Sequence, residues 1–326
     1  MPSNHPQVSI LLPVYNHAAY LGEAIQSALD QTFGDLELII VNDESPDESE
    51  AVVKRFDDRR IRYIAQKNKG VPGALNTAFA AASGDYIALL NDDDRWLPDK
   101  LQGQVGILER DAEVGVVYGI AQVIDHAGQP RPHSIGIPGK YPGDMLKSLL
   151  YENCLCPATV IIRRTCLERT GPWDEALPGS DDRDMWLRLA RHCRFHFQNQ
   201  VVAEYRVHAS NYSAGRFAHF EAYQNRRLQV LDKFYAAPDC PPNALAVKPL
   251  AYRNLHTAIG MQWAGNGNWR KVGWHFGQAF KAQPSPANAL RIGGILATHW
   301  IGRSTLGKKL LARYVQWRLK GRMPTP

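Results

Sequence analysis

Apolar residues in the first half of the chain come in short dense blocks. VSILLP at 8–13, LELIIV at 36–41, IRYIA at 61–65 and YIALL at 86–90 each run five or six residues. Blocks of this length without polar alternation suit strands buried on both faces. Between them, 20–30, 47–56 and 71–82 space their apolar residues as helices do. A β–α–β–α alternation predicts a mostly parallel, Rossmann-like central sheet with helices on both faces.

The regular alternation fades after residue 90. GVVYG at 115–119 and ATVIIRR at 158–164 predict strands that pair less regularly, followed by a helix over 182–192 and a strand over 195–205. The stretch 125–153, with HAGQPRPHSIGIPGKYPG, reads as an irregular flap. From 215 onward the pattern is helical, so the expected organisation is a ligand-binding α/β domain over 1–214 and a C-terminal helical extension over 215–326. There, Trp269, Val272, Phe276 and Phe280 follow helical spacing. Leu306, Leu310, Tyr314 and Trp317 share one arc flanked by Lys309, Arg313 and Lys320. That arc reads either as a basic amphipathic helix lying on an anionic membrane or as a docking helix with a solvated basic edge. No stretch supplies the roughly 20 apolar residues of a membrane span.

Charge sharpens this division. All 32 acidic residues lie at or before Asp239 together with 25 of the 38 Lys and Arg, a net of −7, whereas the remainder carries 13 basic residues and no acid. A basic tail on an acidic body points to an anionic partner surface. No nucleic-acid-binding module accompanies the charge, so nucleic acid is not among the expected partners. Five cysteines in a chain of 326 do not form a disulfide framework, and the spacing of Cys154, Cys156 and Cys166 matches no common zinc site. The opening MPSNHPQ has neither a basic n-region nor an apolar h-region, so the expectation is a cytoplasmic protein in reducing surroundings.

Candidate chemistry gathers where strands end. Residues 86–90 empty into Asn91, Asp92, Asp93 and Asp94. Adjacent carboxylates repel once partly dry, so the triplet is either a solvated acidic loop or a cation site, and Mg²⁺ or Mn²⁺ prefers such oxygens. The ends of the first two strands supply Pro13, Tyr15 and Asn16, then Asn42, Asp43 and Glu44. In a doubly wound sheet these ends lie side by side. Asp43 can accept hydrogen bonds from a base or ribose, or cap a helix, and Tyr15 offers a stacking face. Neither GxGxxG nor GxxxxGK[ST] occurs, so a diphosphate would need a metal. SDDRDMW places Asp181, Asp182 and Asp184 in the first turn of a helix, where acids also serve the macrodipole. YRVHASNYS puts Arg206, His208, Asn211 and Ser213 after the last strand.

Taken in order, PVYNHAAYLGEAIQSALDQTFGDLELIIVNDESPDES, NKGVPGALNTAFAAASGDYIALLNDDDRWLPDKL and GPWDEALPGSDDRDMWLRL resemble family 2 glycosyltransferases of the GT-A fold over about residues 7–213. The resemblance implies transfer of a sugar from a nucleoside-diphosphate sugar, usually with inversion, in the presence of Mg²⁺ or Mn²⁺. Carried onto this sequence, it implies that Pro13, Tyr15, Asp43, Asn91, Asp92 and Arg206 hold the nucleotide sugar. Asp93, Asp94 and His208 would hold the metal, and Asp182 would be the catalytic base. Two positions depart from the family pattern: Asn91 replaces an Asp, and Leu75 stands where an Arg is common. The expected activity is a hexosyl transfer to a saccharide or lipid-linked saccharide in surface-polysaccharide synthesis, by an enzyme peripheral to the inner face of the plasma membrane. The alternatives are a catalytically impaired nucleotide-sugar-binding or scaffold protein of the same fold, and a sugar nucleotidyltransferase, whose glycine-rich basic loop is missing here.

Overall fold

The chain, seen in a computed structural model, is described over residues 5–301 apart from 142, 210 and 212–219. It divides into two compact units, Met1–Leu245 and Ala246–Pro326. In the first unit the four apolar blocks become β1 (Val8–Val14), β2 (Leu36–Asp43), β3 (Ile61–Gln66) and β4 (Tyr86–Leu89). They run parallel in the spatial order β3-β2-β1-β4. β1 and β2 are buried along their whole length. β3 is only partly covered, contrary to the expectation of a buried strand, because it is the sheet edge and pairs with β2 alone.

Three helices pack on this half: α1 (Ala18–Leu29), α2 (Ser49–Val53) and α3 (Gly70–Ala81). α1 buries Leu21, Ala24, Ile25 and Ala28, an i, i+3, i+4, i+7 stripe facing the sheet. Each large aliphatic side chain so buried contributes about 1.5–3 kcal/mol. The resulting core runs from Val8 and Leu38 through Leu101 and Val105 to Ile161 and Ala203.

Beyond β4 the chain forms β5 (Arg95–Trp96), α4 (Lys100–Arg110), β6 (Val114–Asp125), β7 (Pro130–Ile135), α5 (Met145–Tyr151), β8 (Ile161–Arg163), α6 (Arg164–Thr170), α7 (Asp181–Leu189), β9 (Arg194–Val207) and α8 (Phe220–Ala236). The sheet continues β4-β8-β6-β9-β5, with β7 on β6. Pairing is mixed: β8 is antiparallel to both β4 and β6, while β6 and β9 are parallel. The region 125–153 is more regular than the sequence predicts. A hairpin turn with Gly128 at φ +81° leads into β7, and Asp144 caps α5 by accepting the Lys147 N–H at 2.8 Å. Proline and glycine density hid these short elements; an exposed edge strand such as β7 has no apolar period to read.

The short α9 (Pro242–Ala246) spans the boundary between the units. The second unit contains α10 (Lys248–Gly265), α11 (Trp269–Ala282) and α12 (Pro286–Ile301). α11 buries Val272, His275, Phe276 and Ala279, so Trp269 and Phe280 of the predicted arc lie off the buried face, at 38% and 41% exposure. Gly260 on α10 lets the Phe276 ring approach, since a Cβ there would lie 3.1 Å from it. The predicted basic arc at 306–317 lies outside the described residues. No described helix is long and apolar enough to cross a membrane.

Candidate active site

The sheet changes direction of growth between β1 and β4, and their ladder stops at Leu11–Leu89, while β1 and β2 stay paired as far as Val14–Asn42. The strands part just beyond Leu11, and the acidic triplet lies at that parting. A crevice outside the carboxyl ends of the strands at such a point is where open α/β sheets take ligands. Asn16 and Glu44, at φ 60° and 61°, are the non-glycine residues with positive φ among those described, and they follow β1 and β2 at this rim. Backbone held in the left-handed region costs about 1–3 kcal/mol per residue and persists where the surroundings fix it. Here the Asn16 N–H donates to Ser45 Oγ, and the Asn68 N–H donates to the Glu44 carboxylate.

The three carboxylates of the triplet point different ways. Asp92 Oδ2 accepts the Tyr15 N–H at 2.8 Å, and its Oδ1 lies 2.8 Å from His17 Nδ1, tying β4 to the loop after β1. Burial raises its pKa and the Asp93 charge adds to this, against the pull of His17. Asp94 is 1% exposed; it accepts the Arg206 N–H at 2.9 Å on Oδ1 and the Asn91 amide at 2.8 Å on Oδ2. Burial, followed by the charge of Asp93, lifts Asp94 well above the usual carboxylate range. Asp93 Oδ2 meets His208 Nε2 at 3.1 Å and the Asn211 amide at 2.8 Å.

This sorting separates the predicted metal ligands. Among the described residues, the cluster of His, Cys, Asp and Glu that could hold an ion is His17, Asp93 and His208, with ligand atoms within 4.8 Å of one another. Asp94 is not part of it, both its oxygens being spent on the backbone of β9 and on Asn91. His17 was not singled out in the sequence. Its signal is weak, a single histidine in PVYNH just before a helix with no partner pattern in the sequence, and its side chain makes no capping bond. The rings of His17 and His208 meet edge to face at 5.1 Å. Two imidazoles and a carboxylate suit a first-row divalent ion such as Mn²⁺ better than Mg²⁺, which favours an all-oxygen shell.

Arg206 does not reach the crevice front. It is 1% exposed, donates from Nε to the Asp93 carbonyl at 3.0 Å and from Nη2 to Glu23 at 2.7 Å, and stacks over Tyr20. Its guanidinium is a strut beneath the metal-like cluster, with Nη1 also bonding the His126 carbonyl of the hairpin turn. Asp43 is buried, and its side-chain bonds among the described residues, from Gln66 and from the Lys69 N–H, both fall on Oδ1. Tyr15 is 47% exposed beside it along the chain end of β1, and Pro13 and Asn91 line a small depression shared with Leu75, Trp173, Asp181, Asp182 and Trp186. Leu75 thus contributes apolar wall at the position where the family pattern often has Arg.

Asp182 opens α7. Its Oδ2 accepts the Asn153 amide at 3.0 Å and its Oδ1 the Arg183 N–H at 2.6 Å, and burial raises its pKa. Asn153 comes from the end of the 125–153 segment, so that segment holds the carboxylate from the side opposite α7. Asp181 is more deeply buried, accepts the Gly179 N–H at 2.8 Å, and is pushed up to about 7 by burial and then by the charge of Asp182.

Comparison with known proteins bears on the family and the fold. The sequence model for glycosyl transferase family 2 matches residues 9–171. An uncharacterized glycosyltransferase of Rickettsia typhi is 32% identical over 70% of this chain and 73% of its own length. The Escherichia coli UDP-Glc:alpha-D-GlcNAc-diphosphoundecaprenol beta-1,3-glucosyltransferase is 29% identical over 71% of this chain and 87% of its own. Longer Rickettsia relatives are matched over only 32–35% of their length. Among solved structures, the Pyrobaculum calidifontis mannosyltransferase in complex with GDP-Man and Mn²⁺ superposes with a TM-score of 0.60 at 22% identity, covering 97% of this chain and 88% of that one, which establishes the shared GT-A fold.

Asp181 makes stability depend on pH. Its folded value near 7 exceeds the unfolded one near 4, so the folded state holds the extra proton and stability falls as pH rises through that window. Asp181→Asn keeps the acceptor for Gly179 and removes the ionisation. In chemical unfolding, its gain over the parent at pH 8 should exceed its gain at pH 5 by about 2–3 kcal/mol; an equal difference at both pH values contradicts the assignment.

Proposed function

The chain belongs to glycosyl transferase family 2, and from that premise we propose that it is an inverting enzyme. It moves a hexose from a nucleoside-diphosphate sugar to a hydroxyl of a saccharide or lipid-linked saccharide, in the synthesis of a surface polysaccharide. The observation that carries the reading is the depression that joins Pro13 and Asn91, from the nucleotide side of the sheet, to Asp182 on α7. The E. coli relative's name gives a nucleotide-sugar donor and a lipid diphosphate-linked acceptor, which supports the same two substrate classes here.

In this reading residues 1–214 carry the chemistry. Asp43 Oδ2 accepts an N–H of the base or a ribose hydroxyl, and Tyr15 covers the base. His17, Asp93 and His208 would hold Mn²⁺ or Mg²⁺, which when bound would neutralise charge on the diphosphate leaving group. Asp94 and Arg206 act from behind, fixing Asp93. The acceptor hydroxyl gives its proton to Asp182 as its oxygen bonds to the anomeric carbon and the bond from that carbon to the diphosphate oxygen breaks. Attack from the face opposite the diphosphate inverts the anomeric centre. Burial raises the basicity of Asp182, as a general base at neutral pH requires, and Asn153 aims it. The basic second unit, with Trp274 of α11 at 52% exposure, supports an anionic membrane surface as a further partner and a peripheral position on the cytoplasmic face.

Three measurements test this. Asp182→Asn should lower sugar transfer at least ~100-fold while leaving nucleotide-sugar binding by calorimetry within about threefold; unimpaired transfer means the base lies elsewhere. Asp93→Asn should weaken Mn²⁺ binding, followed by electron paramagnetic resonance, by ~10-fold or more, and Asp94→Asn by much less; the reverse order would restore the ligand set expected from sequence. For the membrane surface, removal of the residues after Ser304 should reduce co-sedimentation with phosphatidylglycerol vesicles and spare hydrolysis of a soluble donor. Undiminished vesicle binding would remove the tail from the contact.

A further inference from the structure

The start of β6 lies between the end of β8 and the start of β9, and this order brings two cysteines together. Cys166 sits in α6, directly after β8, and Cys193 immediately precedes β9. β6 is antiparallel to β8 through Val116–Ile162 and parallel to β9 from Val114–Arg194. The two side chains therefore converge on Gly115 from its two sides. A Cβ at Gly115 would lie 2.4 Å from Cys166 Sγ, 2.9 Å from Cys193 Cβ and 3.4 Å from Cys193 Sγ. The sulfurs occupy the space that the missing side chain leaves.

Their surroundings differ from those of the neighbouring cysteines. Cys166 and Cys193 are both partly exposed, whereas Cys154 and Cys156 are buried, with thiols pushed up by that burial. The hydrogen bond from Cys193 holds the Cys166 thiol below its ordinary value, with the charges of Arg163 and Arg169 helping against partial burial; the same bond pushes Cys193 up. A low-lying thiol beside a second one is the arrangement of an attacking and a resolving cysteine.

We propose that Cys166 and Cys193 form a redox-active dithiol that is oxidised to an intramolecular disulfide by small-molecule disulfides. The Cys166 thiolate attacks one sulfur of the small disulfide, the sulfur–sulfur bond breaks, and one small thiolate leaves. Cys193 then loses its proton to solvent and attacks the Cys166 sulfur, expelling the second small thiolate. Two protein thiols are oxidised and one small disulfide is reduced to two thiols. In a reducing compartment such a bond is transient and reports the redox state. The loop it closes contains Trp173, Asp181, Asp182 and the whole of α7, so the bond would fix both ends of the segment bearing the proposed base. That consequence rests on the proposed function; the bond itself does not.

The full chain, equilibrated in mixtures of reduced and oxidised glutathione, would be thiol-blocked, digested and mapped by mass spectrometry. The peptides of Cys166 and Cys193 should become linked to each other, reversibly with dithiothreitol, while Cys154 and Cys156 stay blocked as free thiols. In Cys193→Ser the same treatment should leave a glutathione adduct on Cys166. Cys166 and Cys193 remaining separately blocked through fully oxidised glutathione, or Cys166 linked instead to Cys240, would overturn the proposal. Because the readout is covalent mass, a failed transfer assay leaves this result standing on its own.

Discussion

Three carboxylates in succession at a buried strand end cannot all be ionised and dry, and the first unit is organised around that constraint. Each is given a different set of partners. Asp92 takes up a backbone N–H and an imidazole from the loop after β1; Asp94 takes the start of the chain's return from β9 and the Asn91 amide; Asp93 faces forward between two histidines. Burial raises the two flanking groups and the charge of Asp93 adds to it, so the cost of drying Asp92 and Asp94 falls on residues that hold strands. Removing a partner of Asp92 or Asp94 would cost one buried carboxylate oxygen its hydrogen bond, and these bonds tie β4 to the loop after β1 and to β9.

Arg206 carries this constraint outward. Its backbone serves Asp94, its guanidinium serves the Asp93 carbonyl and Glu23 on α1, and Glu23 also pairs with Arg95. Arg95 in turn reaches the Gly128 carbonyl in the turn before β7. The metal-like cluster, the first helix and the hairpin of the 125–153 segment are thereby joined through one buried cation. A charge with this many fixed partners cannot swing toward a phosphate without stranding the others.

Much of the fold was legible because its driving pattern is local. Apolar-rich blocks such as VSILLP and LELIIV, alternating with helical spacing, suit buried strands of a parallel sheet, and Leu21, Ala24, Ile25 and Ala28 advertise their helix by spacing alone. β5 and β7 were not legible, being two residues long in one case and exposed along nearly its length in the other. The site was legible in its composition and less so in its assignments. Asp93 and His208 do come together, yet Asp94 looked equivalent to Asp93 because sequence shows that residues are adjacent and not which way they point; at a strand end, successive side chains diverge. Arg206 looked like a phosphate ligand for the same reason: an Arg after a strand carries no mark of whether its head is buried. His17 was hidden because one histidine ahead of a helix carries no pattern, and only the fold brings it to Asp93 and His208.

The split between strut and ligand has a consequence for the Asn91 departure from the family pattern. As a metal or ribose ligand, an amide in place of a carboxylate is a loss. Its side-chain nitrogen instead donates to Asp94 Oδ2 at 2.8 Å, and a carboxylate at this position would set a fourth negative charge against an already raised, buried acid. Asn91 therefore relieves the triplet at its most crowded point. The same substitution that looks like impairment when read as a motif mismatch is, in the folded chain, what lets Asp94 spend both oxygens on structure and leaves Asp93 the forward position.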